Sequence, residues 1–173
     1  MILKSGKVKL IAALISNDPI LFDKAGRMLE KKFRNEVDFE SDTLDFTYTD
    51  YYNDEMGPGL KRRFLSFKRA VSLKGIEKTK LISNEIEKKF SVNNKRSINI
   101  DTGYLDLAKL VLFSTKDYSH RIHVGRKIFA EVTLHFKNES FNAWPWTYPD
   151  YRTNDYISIF NSIRERFKNE RRD

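Results

Sequence analysis

His120-Arg121-Ile122-His123-Val124-Gly125-Arg126-Lys127-Ile128-Phe129-Ala130-Glu131-Val132-Thr133-Leu134-His135-Phe136 alternates apolar and polar residues on either side of Gly125. This is the period-2 pattern of two strands joined by a turn. With Gly125-Arg126-Lys127 as the loop, Ile122 and Val124 share a face with Ile128, Ala130, Val132, Leu134 and Phe136, whereas a two-residue loop would scramble those faces. The register then sets Arg121 opposite Glu131 and His123 opposite Phe129, with Thr133 and His135 further along the same polar side. That polar face is the one place where pattern alone assembles a chemical cluster.

Upstream, Leu107 to Phe113 is compatible with a helix but reads as a strand, because Val111, Phe113 and Thr115 favour extended backbone. Ile98 and Ile100 alternate with Asn99 and Asp101 before Thr102-Gly103, which reads as a turn. Residues 76 to 92 read as a helix with Ile82, Ile86 and Phe90 as its buried stripe and Glu77, Lys78, Lys80, Glu85, Glu87 and Lys88 outside. Lys61 to Val71 reads as a strand, Gly57-Pro58-Gly59 as a sharp break, and residues 39 to 48 as one strand. Val8 to Ile15 is an apolar strand leading to Asp18, a helix cap, and Pro19, a first helical residue. Leu21, Phe22, Ala25, Met28, Leu29 and Phe33 line the helix that follows.

Downstream, the two prolines of Trp144-Pro145-Trp146-Thr147-Tyr148-Pro149 oppose regular structure and predict an ordered, extended loop. A last helix from about Asp155 carries Tyr156, Phe160, Ile163 and Phe167 as its stripe. The expected fold is α+β in one domain, residues 1–173: a ferredoxin-like βαββαβ opening extended by an antiparallel hairpin and a C-terminal helix.

The chain lacks cysteine, which excludes disulfides, cysteine-ligated metals and thiol nucleophiles and suits a reducing, cytoplasmic location. Its longest apolar run, Leu10 to Ile15, is too short for a membrane span, and the first residues lack a signal-peptide core, so no membrane association is expected. Charge is uneven: eight Lys/Arg face eleven Asp/Glu through residue 57, and 24 face 13 thereafter. The basic remainder suits an anionic partner, and equally a solvated charge-rich surface.

Neither G-x-x-x-x-G-K-[ST] nor G-x-G-x-x-G occurs, so the sequence does not support a standard GTPase or a dinucleotide fold. Lys116, Tyr118, Ser119, His120, Arg121 and Arg126 gather phosphate donors, and Trp146 and Arg152 add groups that stack on bases. Arg121 pairing with Glu131 and aromatics buried under the loop are the structural alternatives. His123, Glu131 and His135, with Asp50, are candidates for acid-base or metal-assisted work if the hairpin curls, against the alternative of solvent-facing polar pairs. No metal site is assigned, and the sequence does not set whether a cofactor is used. The basic and aromatic stretch Lys61 to Arg69 suits RNA but lacks the RNA-recognition-motif signature.

Phe46 to Tyr52 with Glu55-Met56-Gly57-Pro58, Arg62 to Phe67, Asn99 to Leu105, Thr115 to Arg121, Ala130 to Leu134 and Pro145 to Arg152 together resemble a bacterial family of uncharacterised proteins, domain of unknown function 4416. The resemblance runs through nearly the whole chain, implies a single-domain bacterial protein and carries over no catalytic residue. The expected function is a binding module for a phosphorylated ligand, a nucleotide or RNA. The alternatives are a phosphoester hydrolase and a protein-interaction or assembly domain. The sequence does not set the oligomeric state.

Overall fold

The computed structural model describes residues 6–171. It is a mixed α/β protein with a large antiparallel sheet and, among the described residues, ten strands and four α-helices. In chain order these are β1 (Lys7–Ser16), α1 (Pro19–Phe33), β2 (Val37–Glu40), β3 (Leu44–Asp45), α2 (Asn53–Met56), β4 (Lys61–Phe67), β5 (Val71–Ser72), α3 (Lys78–Lys89), β6 (Asn99–Leu105), β7 (Lys109–Ser114), β8 (Ile122–Gly125), β9 (Ile128–Lys137), β10 (Ser140–Ala143) and α4 (Asn154–Glu170). The chain divides into two compact units. The N-terminal unit is Ile11–Arg69 with Lys78–Thr102; the C-terminal unit is Ala70–Glu77 and Gly103–Asp173 with Met1–Leu10, as far as these are described. No helix among the described residues is long and apolar enough to cross a membrane.

In the N-terminal unit β1 pairs with β4 from Ile11↔Ser66 to Ser16↔Lys61, and β4 pairs in turn with β2 and β3. The strand expected over residues 39 to 48 is thus two short ones, split after Ser41, whose hydroxyl in place of its carbonyl accepts from Phe64 N at 2.9 Å. α1 begins as its sequence requires: the Asp18 carboxylate accepts from Ile20 N at 3.0 Å, and Pro19 opens the first turn. Its buried face, Phe22, Ala25, Gly26 and Leu29, belongs to a helix that packs on β4 and α3. α3 departs from expectation. Lys80 and Glu87, placed outside by periodicity, are buried with Thr79, Ser83 and Ile86. Lys80 Nζ donates to Ile100 O at 2.9 Å, and Glu87 Oε1 accepts from Ile100 N at 2.7 Å. These charged side chains go inward because they satisfy the buried backbone of β6.

The C-terminal unit has strand order β10-β9-β7-β6, with β8 also on β9 and β5 on the start of β1. Leu107 to Phe113 yields the strand β7, as expected. Thr102-Gly103 is not a turn: β6 runs straight through it, and Gly103 is required because a Cβ there would lie 2.1 Å from Val111 O. The hairpin pairs His123 with Phe129 as read from the sequence, but by a different route. Arg126 (φ 54°) and Lys127 (φ 60°) alone form the turn, and a bulge at Val124 restores the register that a two-residue loop would have lost. The expected apolar face is core only in part: Ile128 and Leu134 are buried, whereas Ile122 is 72% exposed, and Glu131 and Thr133 of the expected polar face are buried as well. α4 buries Tyr156, Phe160, Ile163 and Phe167, as expected. Near its end Glu170 accepts from Lys9 Nζ with both carboxylate oxygens, and the Lys9 side chain is wholly buried.

Candidate functional site

A second bulge organises the chemistry of the C-terminal unit. The β7–β9 register steps from Leu110↔Leu134 to Val111↔Val132, leaving Thr133 as the extra residue. The carbonyls flanking this step leave the ladder for the tryptophan loop: Val132 O accepts from Trp146 Nε1 at 3.0 Å, and Thr133 O from Thr147 Oγ1 at 2.7 Å. The loop is itself braced. Thr147 N donates to Trp144 O, and Arg152 donates to the carbonyls of Trp144, Pro145 and Thr147 at 2.7–2.9 Å. The loop expected to be extended is therefore a tight turn, in which one guanidinium supplies the donors that prolines lack.

Lys116 to Arg121 forms the other wall. Arg121 N closes a turn on Tyr118 O, and Arg121 Nη1 donates to Ser114 Oγ and Lys116 O. The turn delivers His120 to Glu131, with Nε2 and Oε1 2.6 Å apart. Glu131 is 4% exposed. Its other contacts are Arg121 Nε at 3.3 Å, on the same Oε1, and Thr133 Oγ1 at 3.2 Å, on Oε2. A buried carboxylate is tolerated here because it is hydrogen-bonded and paired with a cation.

The two walls meet as a ladder of rings. Tyr118 stacks on His120 (centroids 6.0 Å, 7° between planes), His120 on Trp146 (6.0 Å, 20°) and Trp146 on Trp144 (5.2 Å, 15°). Trp144 in turn meets His135 at 4.1 Å, and their buried Nε1 and Nδ1 have no hydrogen-bond partner among the described residues. The Arg121 guanidinium lies 4.5 Å over the Tyr118 ring. The outward rings keep open surface: Tyr118 is 46% and Trp146 38% exposed.

Of the residues expected to bind a ligand, Tyr118, His120, Arg121 and Trp146 come together, with Lys116 and Ser119 exposed on the same turn. Arg126 sits at the hairpin tip beside Glu77, at 3.4 Å, and Arg152 is occupied by loop carbonyls. Of the acid-base candidates, Glu131 is joined by His120, whereas His123 packs on Phe129 and His135 on Trp144. Asp50 lies in the N-terminal unit, accepting from Asn53 Nδ2. No group of three or more His, Asp or Glu among the described residues is arranged to hold a metal ion. Ser114, Thr133 and Thr147 were not singled out by the sequence. The legible trace was the alternation of Glu131 and Thr133, which a strand model assigns to solvent.

A second polar cluster occupies the N-terminal unit. Arg96 donates to both oxygens of Glu55 at 2.8 Å and to Asn99 Oδ1 at 2.8 Å, and Glu87 lies 3.6 Å away. Lys80 pairs with Asp101 at 3.0 Å. The Arg96 donors hold the Glu55 carboxyl below its ordinary range. Burial pushes Glu87 up. Burial would also raise Asp101, but Lys80, Arg62 and hydrogen bonds outweigh it and hold the carboxyl low. Burial, and next Asp101, push the Tyr52 phenol well up. Arg62 and Arg63, part of the basic and aromatic stretch expected to suit RNA, stack on Phe46, Phe64 and Phe22 in this unit.

A family model described as domain of unknown function (DUF4416) matches residues 6–167. The chain belongs to the DUF4416 family. No curated protein and no solved structure matches it. Both clusters lie inside the DUF4416 match, so the stacked rings and the ion network are both parts of the family domain.

Proposed function

We propose that the C-terminal unit binds a phosphorylated aromatic ligand, a nucleotide or a stretch of RNA, against the exposed edges of Tyr118 and Trp146. The observation that carries this reading is the ladder Tyr118–His120–Trp146–Trp144, with open ring surface at Tyr118 and Trp146. Contact between bases and aromatic ring edges is sequence-tolerant because every base has a π-face, and it rewards a surface already rigid before the ligand arrives. Trp146 is rigid in this sense, since its indole N–H is tied to Val132 O. Arg121, beside Tyr118, and Lys116, on the same turn, supply cationic groups for phosphate.

Both tryptophans of the chain sit in the ladder, so their fluorescence reports directly on it. Titration with short RNAs and with mononucleotides should quench the emission, and the affinity should fall as salt rises. Unchanged emission at low salt with every ligand would overturn the reading.

We infer that the N-terminal unit opens in a ferredoxin-like arrangement. Within the N-terminal unit, β1, α1, β2, β4, α3 and β6 follow the βαββαβ order, and the strand path β6-β1-β4-β2 supports a ferredoxin-like arrangement elaborated by β3 and α2.

A further inference from the structure

His120 is held in a manner that binding alone does not need. Its Nε2 side is taken by Glu131, a buried carboxylate further fixed by Arg121 Nε and Thr133 Oγ1. With the carboxylate ionised, Nε2 carries the proton, and the lone pair falls on Nδ1, which makes no hydrogen bond among the described residues. The ring is 23% exposed and lies between the two outward aromatic rings, Tyr118 and Trp146. A ligand seated against the open edges of those rings would meet an oriented imidazole base. Arg121 uses Nε and Nη1 within the protein, and its Nη2 makes no protein hydrogen bond among the described residues.

Resting on the proposed RNA reading, we infer that His120 and Glu131 form a proton-transfer pair that cleaves RNA by internal transesterification. His120 Nδ1 takes the proton of a ribose 2′-hydroxyl. The 2′-oxygen bonds to the adjacent phosphorus as the bond from phosphorus to the 5′-oxygen breaks, and the departing oxygen takes a proton from solvent. The products are a 2′,3′-cyclic phosphate and a 5′-hydroxyl; no water is consumed, no electrons are exchanged, and His120 returns its proton to solvent. RNA fits this chemistry because it brings its own nucleophile, so a single oriented base suffices to start the reaction. Arg121 Nη2 is the donor for the phosphoryl oxygens, where charge builds up. His120 is the catalytic residue and Glu131 a positioning residue.

The test uses the full chain with a 5′-labelled short RNA in EDTA, beside the same strand with 2′-deoxyribose throughout. RNA should be cut to cyclic-phosphate ends and the deoxy strand left whole. His120→Gln retains a donor for Glu131; under single-turnover conditions with saturating protein it should cleave about 100-fold more slowly, a readout that a loss of affinity at the ring ladder does not enter. The groups facing His120 are Glu131 from β9, and Tyr118 and Arg121 from its own turn. Glu131→Gln removes the carboxylate that fixes the His120 tautomer, so kcat should fall while KM holds, a split that misfolding would not produce. Wild-type protein that binds RNA without cutting it, cuts the deoxy strand equally well, or is matched by His120→Gln sinks the cleavage assignment alone. Failure to bind RNA sinks the binding reading as well.

Discussion

The two polar clusters contain similar groups in opposite states of closure. In the N-terminal unit, the Arg96 donors are used by Glu55 and Asn99, and Lys80 joins Asp101 to a backbone carbonyl. Each charge is answered by another side chain or by the backbone of β6. In the C-terminal unit, Glu131 is answered with equal care, yet the groups it holds, His120 and Arg121, keep a nitrogen each without a protein partner among the described residues and stand among exposed rings. A closed network stabilises a fold, whereas a network closed on one side presents its other side to a ligand. The contrast lies in where the hydrogen bonds stop, since both clusters are rich in charge.

The contrast is broken most forcefully from the closed side. Arg96→Ala leaves Glu55 and the buried Glu87 without their guanidinium; chemical denaturation should register a loss of about 3 kcal/mol, the low end for removing one partner of a buried pair. The RNA affinity of the still-folded protein should be unchanged. On the open side the signature reverses: Trp146→Ala should weaken RNA binding by about 1–3 kcal/mol, read by titration, with a smaller change in thermal midpoint than Arg96→Ala.

Acid unfolding sharpens the picture of the closed network. Glu55 and Asp101 titrate below their ordinary values in the fold, so their contribution is complete above those values and is lost as pH falls through the depressed ones. Glu87 has the opposite sign. Its ordinary value is 4.5 and its folded one is higher, so its ionisation costs stability that is recovered as pH falls through the raised value. Thermal melts should show wild type gaining stability just above the usual carboxylate range before losing it at lower pH. Glu87→Gln should lack the gain and keep the loss, and a gain that survives the substitution would contradict the assignment.

The smallest effect concerns the hairpin tip. Arg126 and Lys127 both occupy left-handed backbone, which Asn-Gly adopts with less strain. Replacing the pair by Asn-Gly should stabilise the protein by about 0.5–1 kcal/mol, with the loss of the exposed Arg126–Glu77 pair offsetting little of it. Affinity should hold if the site ends at Arg121, and fall if the tip also meets phosphate.

Much of the fold was legible where local physics suffices. Asp18-Pro19 starts α1, the stripe Tyr156, Phe160, Ile163 and Phe167 marks α4, and β-favouring residues decide β7. The hairpin register was legible because period 2 tolerates few alternatives, although the route to it was not: nothing in Arg-Lys signals positive φ, and a bulge leaves no composition mark. Gly103 was misread for a related reason, since a glycine that admits a neighbouring backbone resembles one that turns the chain.

By itself the sequence determined α1, α3, α4, the strands β1, β4, β7 and β9 and the pairing of His123 with Phe129, though not α2 or β10, because capping, periodicity and steric preference act between residues close along the chain. Only the tertiary structure decided that Glu131 holds His120 rather than His123, that Lys80 and Glu87 face inward, and that Arg152 serves its own loop. Those choices depend on which backbone groups are buried without partners, and that is settled only when distant segments are brought together.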